Sequence, residues 1–340
     1  MKKLFVTMVA LVMTAMSYAQ NTLVATLSHD EDITMFYGTY ALRDAMNAAQ
    51  SGDVINLSGG AFQAVNITKA VTLRGTGIDD AAPTYISGDF TINVPTDDAN
   101  RLSFEGIRST GTITMSGTFN SPYFVKNQFY RFYYNKNTNI KNALFVNCRI
   151  TYNYYVKDNS NPNSVQFINS FVAGFDNQGT NTAATFINCI VWPCAEGSMP
   201  ELSCNSQFLN CVIYHSKNYG YNLNSQLPAT NIATKCVSIG YNDLFGAQAA
   251  NTGNSKVEWN GWSQIFKNFA GTYSDAQTFE LTDEAKTTYL GTDGTEVGMY
   301  GGVLPYDSTP SYPQITKMNV ANKTTADGKL SVEIEVSAAE

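Results

Sequence analysis

The sequence predicts an all-β chain folded as a right-handed parallel β-helix, a solenoid with coils of roughly 20–25 residues. It also predicts an amphipathic cap helix at the N-terminal end and a short β tail at the C-terminal end. Three observations support this fold class: a short phrase repeated through the middle of the chain, an apolar helical stripe before it, and a charged content of only 14%. Low charge with many Asn, Thr and aromatic residues suits strands and turns better than helices.

The repeated phrase joins an aromatic residue, an Asn-Cys pair and a β-branched residue, as in FINCIV at 186–191 and FLNCVI at 208–213. The residue after the Asn, or its equivalent, recurs at steps of 21, 22, 19, 22 and 25 residues. These anchor positions are Asn127, Cys148, Ser170, Cys189, Cys211 and Cys236. A period in the twenties is typical of a solenoid, and the alternation inside each phrase predicts a short strand. Identical positions of successive coils should therefore stack about 4.8 Å apart.

Four of the six cysteines occupy the anchor position, which predicts a column of buried, reduced thiols packed as small apolar side chains. The Asn before each anchor suits a bend, because Asn tolerates left-handed backbone geometry. Cys194 and Cys204 lie off the column in one irregular stretch and are the disulfide candidates of an exported chain. No metal site is predicted, since no Cys-x-x-Cys spacing occurs and the chain has only two His.

The N-terminal segment 1–19 reads as a secretory signal peptide, with Lys2 and Lys3, an apolar run, and small residues before a cut after Ala19. It predicts export to the periplasm, the cell surface or the medium. No later stretch approaches 18 consecutive apolar residues, so the mature chain is not expected to span a membrane.

The remaining chain divides into a β-helix over 20–305 and a tail over 306–340. The cap helix is predicted near 40–50, where apolar residues recur at helical spacing, and residues 20–39 lead into it. A proline-rich linker is predicted at 305–313 and a strand at 329–336. That strand could cover the end of the solenoid or offer an edge to a protein partner.

The helix followed by GDVINL, GGAF and ITKAVTLRGTG, together with the F-x-N-C repeats, resembles the pectin-lyase-like β-helix superfamily. In particular, the chain is similar to exported β-helix proteins of Bacteroidetes-type bacteria, and DGTEVGMYGG at 293–302 is similar to their closing segment. The resemblance covers nearly the whole mature chain. It implies the fold, whereas the superfamily includes lyases, hydrolases, epimerases and proteins that only bind or scaffold.

For a lyase, the resemblance implies calcium held by clustered carboxylates and proton abstraction by Arg or Lys, because the developing negative charge must be neutralised. For a hydrolase it implies a close group of Asp side chains. Acids do not recur clearly in register here, which favours a chain that is not an enzyme and needs no cofactor. The weak catalytic candidates are Arg149, Asp176, Glu196 and Lys217.

Aromatic residues are dense in QFYRFYYNKN at 128–137 and TYNYYVKDN at 151–159, on consecutive coils. Flat rings flanked by amides suit sugars, which have apolar C–H faces and hydroxyls that need polar partners. The alternative is that several of these rings fill the cross-section of the solenoid. The candidate ligand-binding residues are Tyr130, Arg131, Tyr133, Tyr134, Tyr152, Tyr154, Trp192 and Tyr214.

The leading hypothesis is an exported, non-catalytic β-helix that binds polysaccharide or other cell-surface material through an aromatic- and amide-rich lateral face. The first alternative is a polysaccharide lyase or glycoside hydrolase, with Ca²⁺ if it is a lyase. The second is a scaffold or adhesin that contacts protein, through the tail. The net charge of −7 argues against a nucleic-acid partner.

Overall fold

The structure is a computed structural model that describes most but not all residues of the chain. The signal segment 1–19, the disulfide candidates Cys194 and Cys204, and the catalytic candidates Glu196 and Lys217 all lie outside the described residues. The described residues are 23–79, 82–94, 102–136, 138–156, 163–177, 182–192, 206–214, 227, 230–240, 243–246, 252–258, 260–269, 273–320, 327–329 and 331–337.

The chain forms a parallel β-solenoid of about 7 turns with coils of about 22 residues, which confirms the predicted fold class. Strands are numbered in chain order, and eleven of them form the first sheet in the order β2-β1-β3-β5-β8-β11-β14-β16-β19-β21-β23. These strands are β1 (Val24–His29), β2 (Asp32–Tyr37), β3 (Val54–Leu57), β5 (Thr72–Arg74), β8 (Ser103–Glu105), β11 (Tyr123–Val125), β14 (Ala143–Val146), β16 (Asn163–Ile168), β19 (Thr182–Ile187), β21 (Ser206–Leu209) and β23 (Ile232–Thr234).

The second sheet has twelve strands, ordered β25-β24-β22-β20-β17-β15-β12-β9-β6-β4, with β7 beside β9 and β18 beside β15. Its strands are β4 (Gly60–Gln63), β6 (Thr84–Ser87), β7 (Phe90–Ile92), β9 (Ile107–Met115), β12 (Gln128–Tyr134), β15 (Arg149–Val156), β17 (Phe171–Ala173), β18 (Phe175–Asn177), β20 (Ile190–Trp192), β22 (Val212–Tyr214), β24 (Val237–Ile239) and β25 (Ser255–Val257). Two small sheets pair β10 (Thr118–Asn120) with β13 (Asn139–Lys141) and β26 (Gln314–Val320) with β27 (Val332–Ser337).

The repeated aromatic residue forms a stacked column inside the solenoid. Phe124, Phe145, Phe167, Phe186 and Phe208 lie in register on successive strands of the first sheet. Their ring centroids are separated by 4.6, 5.0, 5.0 and 4.9 Å, with near-parallel planes. All are buried, and each is expected to contribute about 1.5–3 kcal/mol through loss of apolar surface from water.

The anchor column is buried as predicted. All six anchors are at most 1% exposed, and the four cysteines among them are free thiols. The residue before each anchor turns the chain with a positive φ, between 46° and 55°. This residue is Asn147, Asn169, Asn188 or Asn210 in four coils, and Lys126 or Lys235 in the outer two. The Asn pattern therefore marks the bend between the two sheets.

The N-terminal end carries the predicted cap. Helix α1 (Ala41–Ala48) buries Ala41, Leu42, Ala45 and Met46 against the first strands. The lead-in before it is an antiparallel hairpin, in which β2 pairs with β1 and β1 pairs with β3. The helix thus covers the apolar cross-section that the first coil would otherwise leave exposed.

The C-terminal part of the chain returns along the outside of the coils. We call residues 262–269 and 273–313 the strap; it includes the short helices α2 (Trp262–Ile265) and α3 (Asp283–Thr288). The sequence predicts a linker at 305–313, but this part of the strap is packed against the coils. Pro310 is buried there, and the Lys126 ammonium lies 2.8 Å from the Asp307 carboxylate.

Beyond the strap, the strand predicted at 329–336 corresponds to β27, which pairs with β26 in an antiparallel hairpin. No helix in the described part of the chain is long and apolar enough to cross a membrane.

Candidate functional site

A bulge in the second sheet positions the candidate residues on the outer surface. Strands β9, β12 and β15 are in register at Gln128, but the register shifts before Arg131. Between Phe129 and Arg131, β12 has one residue, Tyr130, whereas between their partners Ile150 and Asn153, β15 has two, Thr151 and Tyr152. An extra residue in one strand bends it locally and redirects the side chains beside it.

Four of the predicted ligand-binding residues come together at this bulge. Tyr130 is 39% exposed, and its ring stacks on that of Tyr152 with centroids 5.0 Å apart. The guanidinium carbon of Arg131 lies 4.6 Å from the Tyr152 centroid and 5.8 Å from that of Tyr130. Tyr133 packs on Tyr155 with centroids 4.8 Å apart. Because strands rise about 3.3 Å per residue, the two tyrosine pairs are about 10 Å apart along the strands.

Polar groups without partners lie between the two tyrosine pairs. Arg131 and Asn153 face each other across β12 and β15. The Arg131 Nε and the Asn153 Oδ1 are both buried, and neither has a hydrogen-bond partner. Because both atoms are buried beneath the surface, a ligand on the outer face does not contact them in this arrangement. We call Tyr130, Arg131, Tyr133, Tyr152, Asn153 and Tyr155 the tyrosine face.

Small residues flank the tyrosine face along the solenoid axis. The register of β9 places Thr110 and Gly111 beside Tyr130, and Ala173 and Gly174 follow on the coil after Tyr152. Gly111 is required by the backbone, because a Cβ there would lie 2.3 Å from the carbonyl of Gly88. The stacked rings of Tyr130 and Tyr152 therefore have only short side chains, or none, beside them on the coils before and after.

Two of the predicted ligand-binding tyrosines lie in the core instead. Tyr134 and Tyr154 are 1% and 0% exposed, and their hydroxyls are hydrogen-bonded to each other. The Tyr154 ring stacks between Phe132 and Phe175, at 5.7 and 5.6 Å. Burial raises the pKa of both phenols above the ordinary value. The expectation of surface positions was wrong for two reasons: the register shift after Phe129 moves Tyr134 to the core side of β12, and Tyr154 lies an even number of residues after the buried Ile150 of β15.

Trp192 and Tyr214 do point away from the solenoid core, but the strap covers them. They are 7% and 6% exposed, and the Phe269 ring lies 4.7 Å from Trp192 and 6.0 Å from Tyr214. The apolar outer row of the last coils thus forms a second hydrophobic cluster with the strap. The prediction that these two rings are available to a ligand was wrong.

Of the catalytic candidates, Arg149 is described in full, and it is also covered. Its side chain is 7% exposed, its guanidinium lies 3.4 Å from the Asp79 carboxylate, and the Tyr306 ring of the strap is 5.0 Å away. Arg108 lies two coils earlier in the same register row, with Gln128 between it and Arg149, and is paired with Asp275 of the strap at 2.5 Å. Asp176 lies on β18, and only its backbone position, beside Tyr155, is described. Within the described residues, no group of three His, Cys, Asp or Glu side chains is placed to hold a metal ion.

The first sheet offers a second candidate surface. A shallow groove of about 400 Å³ runs across strands β14, β16 and β19. Its lining includes Ser121, Asn142, Leu144, Gln166 and Thr185, with hydroxyl and amide groups but no aromatic ring. This groove can hydrogen-bond a polar ligand but offers no flat apolar surface.

Two members of the tyrosine face, Asn153 and Tyr155, are not among the residues that sequence analysis proposed as ligands. Tyr155 belongs to the aromatic stretch at 151–159, so its residue type and position already indicated a candidate ligand-binding residue. Asn153 could not be predicted as a member, because only the register shift at the bulge places it beside Arg131.

Comparison of the chain with protein-family models, with curated proteins and with solved structures found no match. The fold defines the class as a parallel β-solenoid repeat protein, and the functional argument depends on the chemistry of its own surface.

Proposed function

We propose that this chain is an exported β-helix protein, related in fold to the pectin-lyase-like superfamily, that binds polysaccharide or other cell-surface glycan without cleaving it. The observation that carries the proposal is the exposed stack of Tyr130 on Tyr152 on the outer surface, with the Arg131 guanidinium against both rings. Export through residues 1–19 is part of the proposal.

The chemistry of the tyrosine face suits a sugar chain. Tyrosine rings can pack against the apolar C–H faces of sugars, and the terminal N–H groups of the Arg131 guanidinium can donate hydrogen bonds to hydroxyl groups. Stacking on Tyr130 and Tyr152 holds the Arg131 guanidinium in place, so little rotamer freedom is left to lose on binding. Two tyrosine pairs about 10 Å apart offer contacts to more than one sugar unit.

The non-catalytic part of the proposal is supported by the surroundings of Arg149. A base that abstracts a proton must come within hydrogen-bonding reach of the substrate. Arg149 is paired with Asp79 and lies beneath Tyr306 of the strap, so a polysaccharide on the tyrosine face does not reach it.

The test is a binding and turnover screen of the purified protein against pectin, alginate and host-type polysaccharides, with isothermal titration calorimetry on each glycan that binds. We expect Tyr130→Ala and Arg131→Ala each to weaken binding about tenfold, or about 1.4 kcal/mol, through loss of a stacking ring or of a charged donor. No new reducing or unsaturated ends should appear with the wild type.

The matched control is Tyr40→Ala. Tyr40 is 51% exposed and also stacks with an arginine, since the Arg43 guanidinium carbon is 4.1 Å from its ring, but it lies beside the cap helix. Binding should be unchanged in this variant. Depolymerisation by the wild type would contradict the proposal and favour a lyase or hydrolase. A loss of binding in Gln166→Ala, with Tyr130→Ala unaffected, would move the site to the groove on the first sheet.

A further inference from the structure

Strand β2 leaves one edge of the first sheet unpaired. It is the first strand in the sheet order and pairs with β1 on one side only, within the described residues. Its outer face carries three apolar side chains at alternate positions. Ile33, Met35 and Tyr37 are 69%, 55% and 62% exposed. The strand therefore presents free backbone groups and an apolar row at the same place.

This edge lacks the features that prevent strand pairing. Edge strands are normally protected by lysine, proline or a bulge. Apart from the exposed Asp32 at its first position, β2 contains no charged residue and no proline, and its register with β1 is regular over all six residues. Helix α1 packs against β1 and β2, and within the described residues no strand other than β1 pairs with β2.

We propose that β2 pairs antiparallel with β2 of a second copy of this chain, about a two-fold axis that passes through Met35. An isologous contact requires a surface that is complementary to itself. The row Ile33, Met35 and Tyr37 is evenly spaced about its centre. The two-fold axis therefore places Met35 opposite its own copy and each Ile33 opposite Tyr37 of the second copy, where such cross-strand pairs stabilise a sheet.

Charge favours the antiparallel arrangement over the parallel one. The β1–β2 turn carries the exposed acids Asp30 and Glu31 at one end of the strand. Beyond the other end, the half-exposed Arg43 lies over the Tyr40 ring and is paired with Asp44 at 2.9 Å, so this end carries no net charge from the two side chains. Antiparallel pairing places the acidic turn of each copy beside the neutral Arg43–Asp44 pair of the other, whereas parallel pairing would place acid beside acid.

The contact is small and should be reversible. Pairing of one six-residue strand with its copy lies at or below the low end of specific interfaces, about 1,200 Å² in total. A second copy is favoured over an unrelated strand because the same two-fold operation matches the apolar row to itself and keeps the two acidic turns apart. The proposal is independent of the tyrosine face, which lies on the second sheet.

The first experiment is sedimentation velocity of the purified protein over about a hundredfold range of concentration. We expect a dimer whose fraction rises with concentration in the wild type, and a monomer throughout in Met35→Lys, because two lysines would face each other at the axis. The control is Val303→Lys, at a strap residue that is 92% exposed, and it should dimerise like the wild type. A wild type that stays monomeric, or a dimer that Met35→Lys does not change, would overturn the proposal.

The second experiment tests the register by oxidation with diamide. Met35→Cys should form a disulfide between copies, since residues on the axis lie within the roughly 7 Å Cα limit of a disulfide. Ile33→Cys should not, because its two copies are four residues apart along the strands, about 13 Å. The wild type reports any background from native cysteines, and thermal unfolding shows that both variants are folded. Cross-linking of Ile33→Cys in place of Met35→Cys would overturn the two-fold axis at Met35.

Discussion

At the scale of single residues, His29 joins the first hairpin to the loop after the cap helix. Its Nδ1 lies 2.7 Å from an Asp53 carboxylate oxygen, and the other oxygen of Asp53 accepts the Gln50 N–H at 2.7 Å. The hydrogen bond and charge of Asp53 raise the pKa of His29 above 6.5, with smaller contributions from the charges of Asp30 and Asp32. The charged imidazole is therefore favoured in the folded state.

This contact makes the stability of the N-terminal cap dependent on pH. A raised pKa contributes stability that is complete below the unfolded value of 6.5 and is lost as the pH rises through the folded value. The melting temperature of His29→Gln should lie below that of the wild type at about pH 5.5, and the difference should shrink towards about pH 9. Scanning calorimetry of both proteins measures it. A difference that does not change with pH would mean that the imidazole acts only through packing.

The buried cysteines are expected to be unreactive in the folded protein. Burial raises the pKa of Cys148 to about 12 and that of Cys211 and Cys236 well above the ordinary value. Thiolates, not thiols, attack alkylating reagents. Iodoacetamide at about pH 8 should modify these residues only after unfolding in urea, as read by peptide mass spectrometry. If iodoacetamide modified these cysteines in the native protein as fast as it modifies an introduced surface cysteine, the buried cysteine column would have to be accessible to the reagent in the folded state.

Some residue positions could be predicted from the sequence and others could not. The anchor column was predictable because one residue type recurs at a nearly constant spacing, as from Cys189 to Cys211. The position of Tyr134 was not, because Tyr133 and Tyr134 are chemically alike. The register shift between Phe129 and Arg131 decides that Tyr134, not Tyr133, faces the core.

At the scale of elements, the strap depends on glycines that let it approach the bend of the solenoid closely. Gly302 has a φ of +78°, and a Cβ on it would lie 2.0 Å from the Nδ2 of Asn188. Side chains of the same bend bind the strap backbone: the Asn169 amide donates to the carbonyls of Met299 and Gly301 at 2.9 and 2.7 Å. The Asn residues therefore both turn the coils and hold the strap.

Gly302→Ala should destabilise the protein more than a matched glycine substitution. Gly294 has a similar φ of +81°, but no atom lies within 4 Å of a Cβ there. Gly294→Ala should cost about 1–2 kcal/mol for left-handed backbone alone, and Gly302→Ala about 1–3 kcal/mol more for the displaced contact. Urea unfolding followed by circular dichroism compares the two. Equal losses would show that the strap moves away from Asn188 at no cost.

Only some of the structural elements could be predicted from the sequence. The alternation of apolar residues indicated the strands, and the stripe from Ala41 to Ala49 indicated the cap helix. The strap was missed because its contacts are distant in sequence: Ser311 bonds to Glu105 at 2.6 Å across 206 residues. The prolines of 305–313 indicate extended backbone but not whether it is free or packed.

At the scale of the whole molecule, the Phe column runs along the solenoid and should govern its stability. The Phe186 ring lies 5.0 Å from Phe167 and 4.9 Å from Phe208, and it meets Phe175 edge-on at 5.0 Å. Phe186→Ala should lower the free energy of unfolding by about 3–5 kcal/mol, because the coils on either side hold the cavity open. Equilibrium unfolding in urea gives this value. The exposed Tyr40→Ala should change it by less than about 0.5 kcal/mol, and a similarly small effect for Phe186→Ala would contradict a continuous core.

The strap also crosses the coils one after another in the reverse direction of the chain. Starting from the C-terminal coils, its residues meet the bend at successive levels. The contacts join Thr292 to Asn210, Gly302 to Asn188, Gly301 to Asn169, Asp307 to Lys126, Ser311 to Glu105 and Tyr312 to Arg74. In an open repeat array each unit touches only its neighbours, whereas here one segment touches most units.

A solenoid can in general accept an added or deleted repeat, because each repeat contacts only its neighbours and the remaining repeats stack in the same way. In this chain an added coil would displace every strap contact beyond it by about 4.8 Å, so that Asp307 would no longer meet Lys126. The length of the strap therefore fixes the number of coils with which it can make these contacts. A duplication of one coil would restore the contacts only if the strap were lengthened by a matching amount.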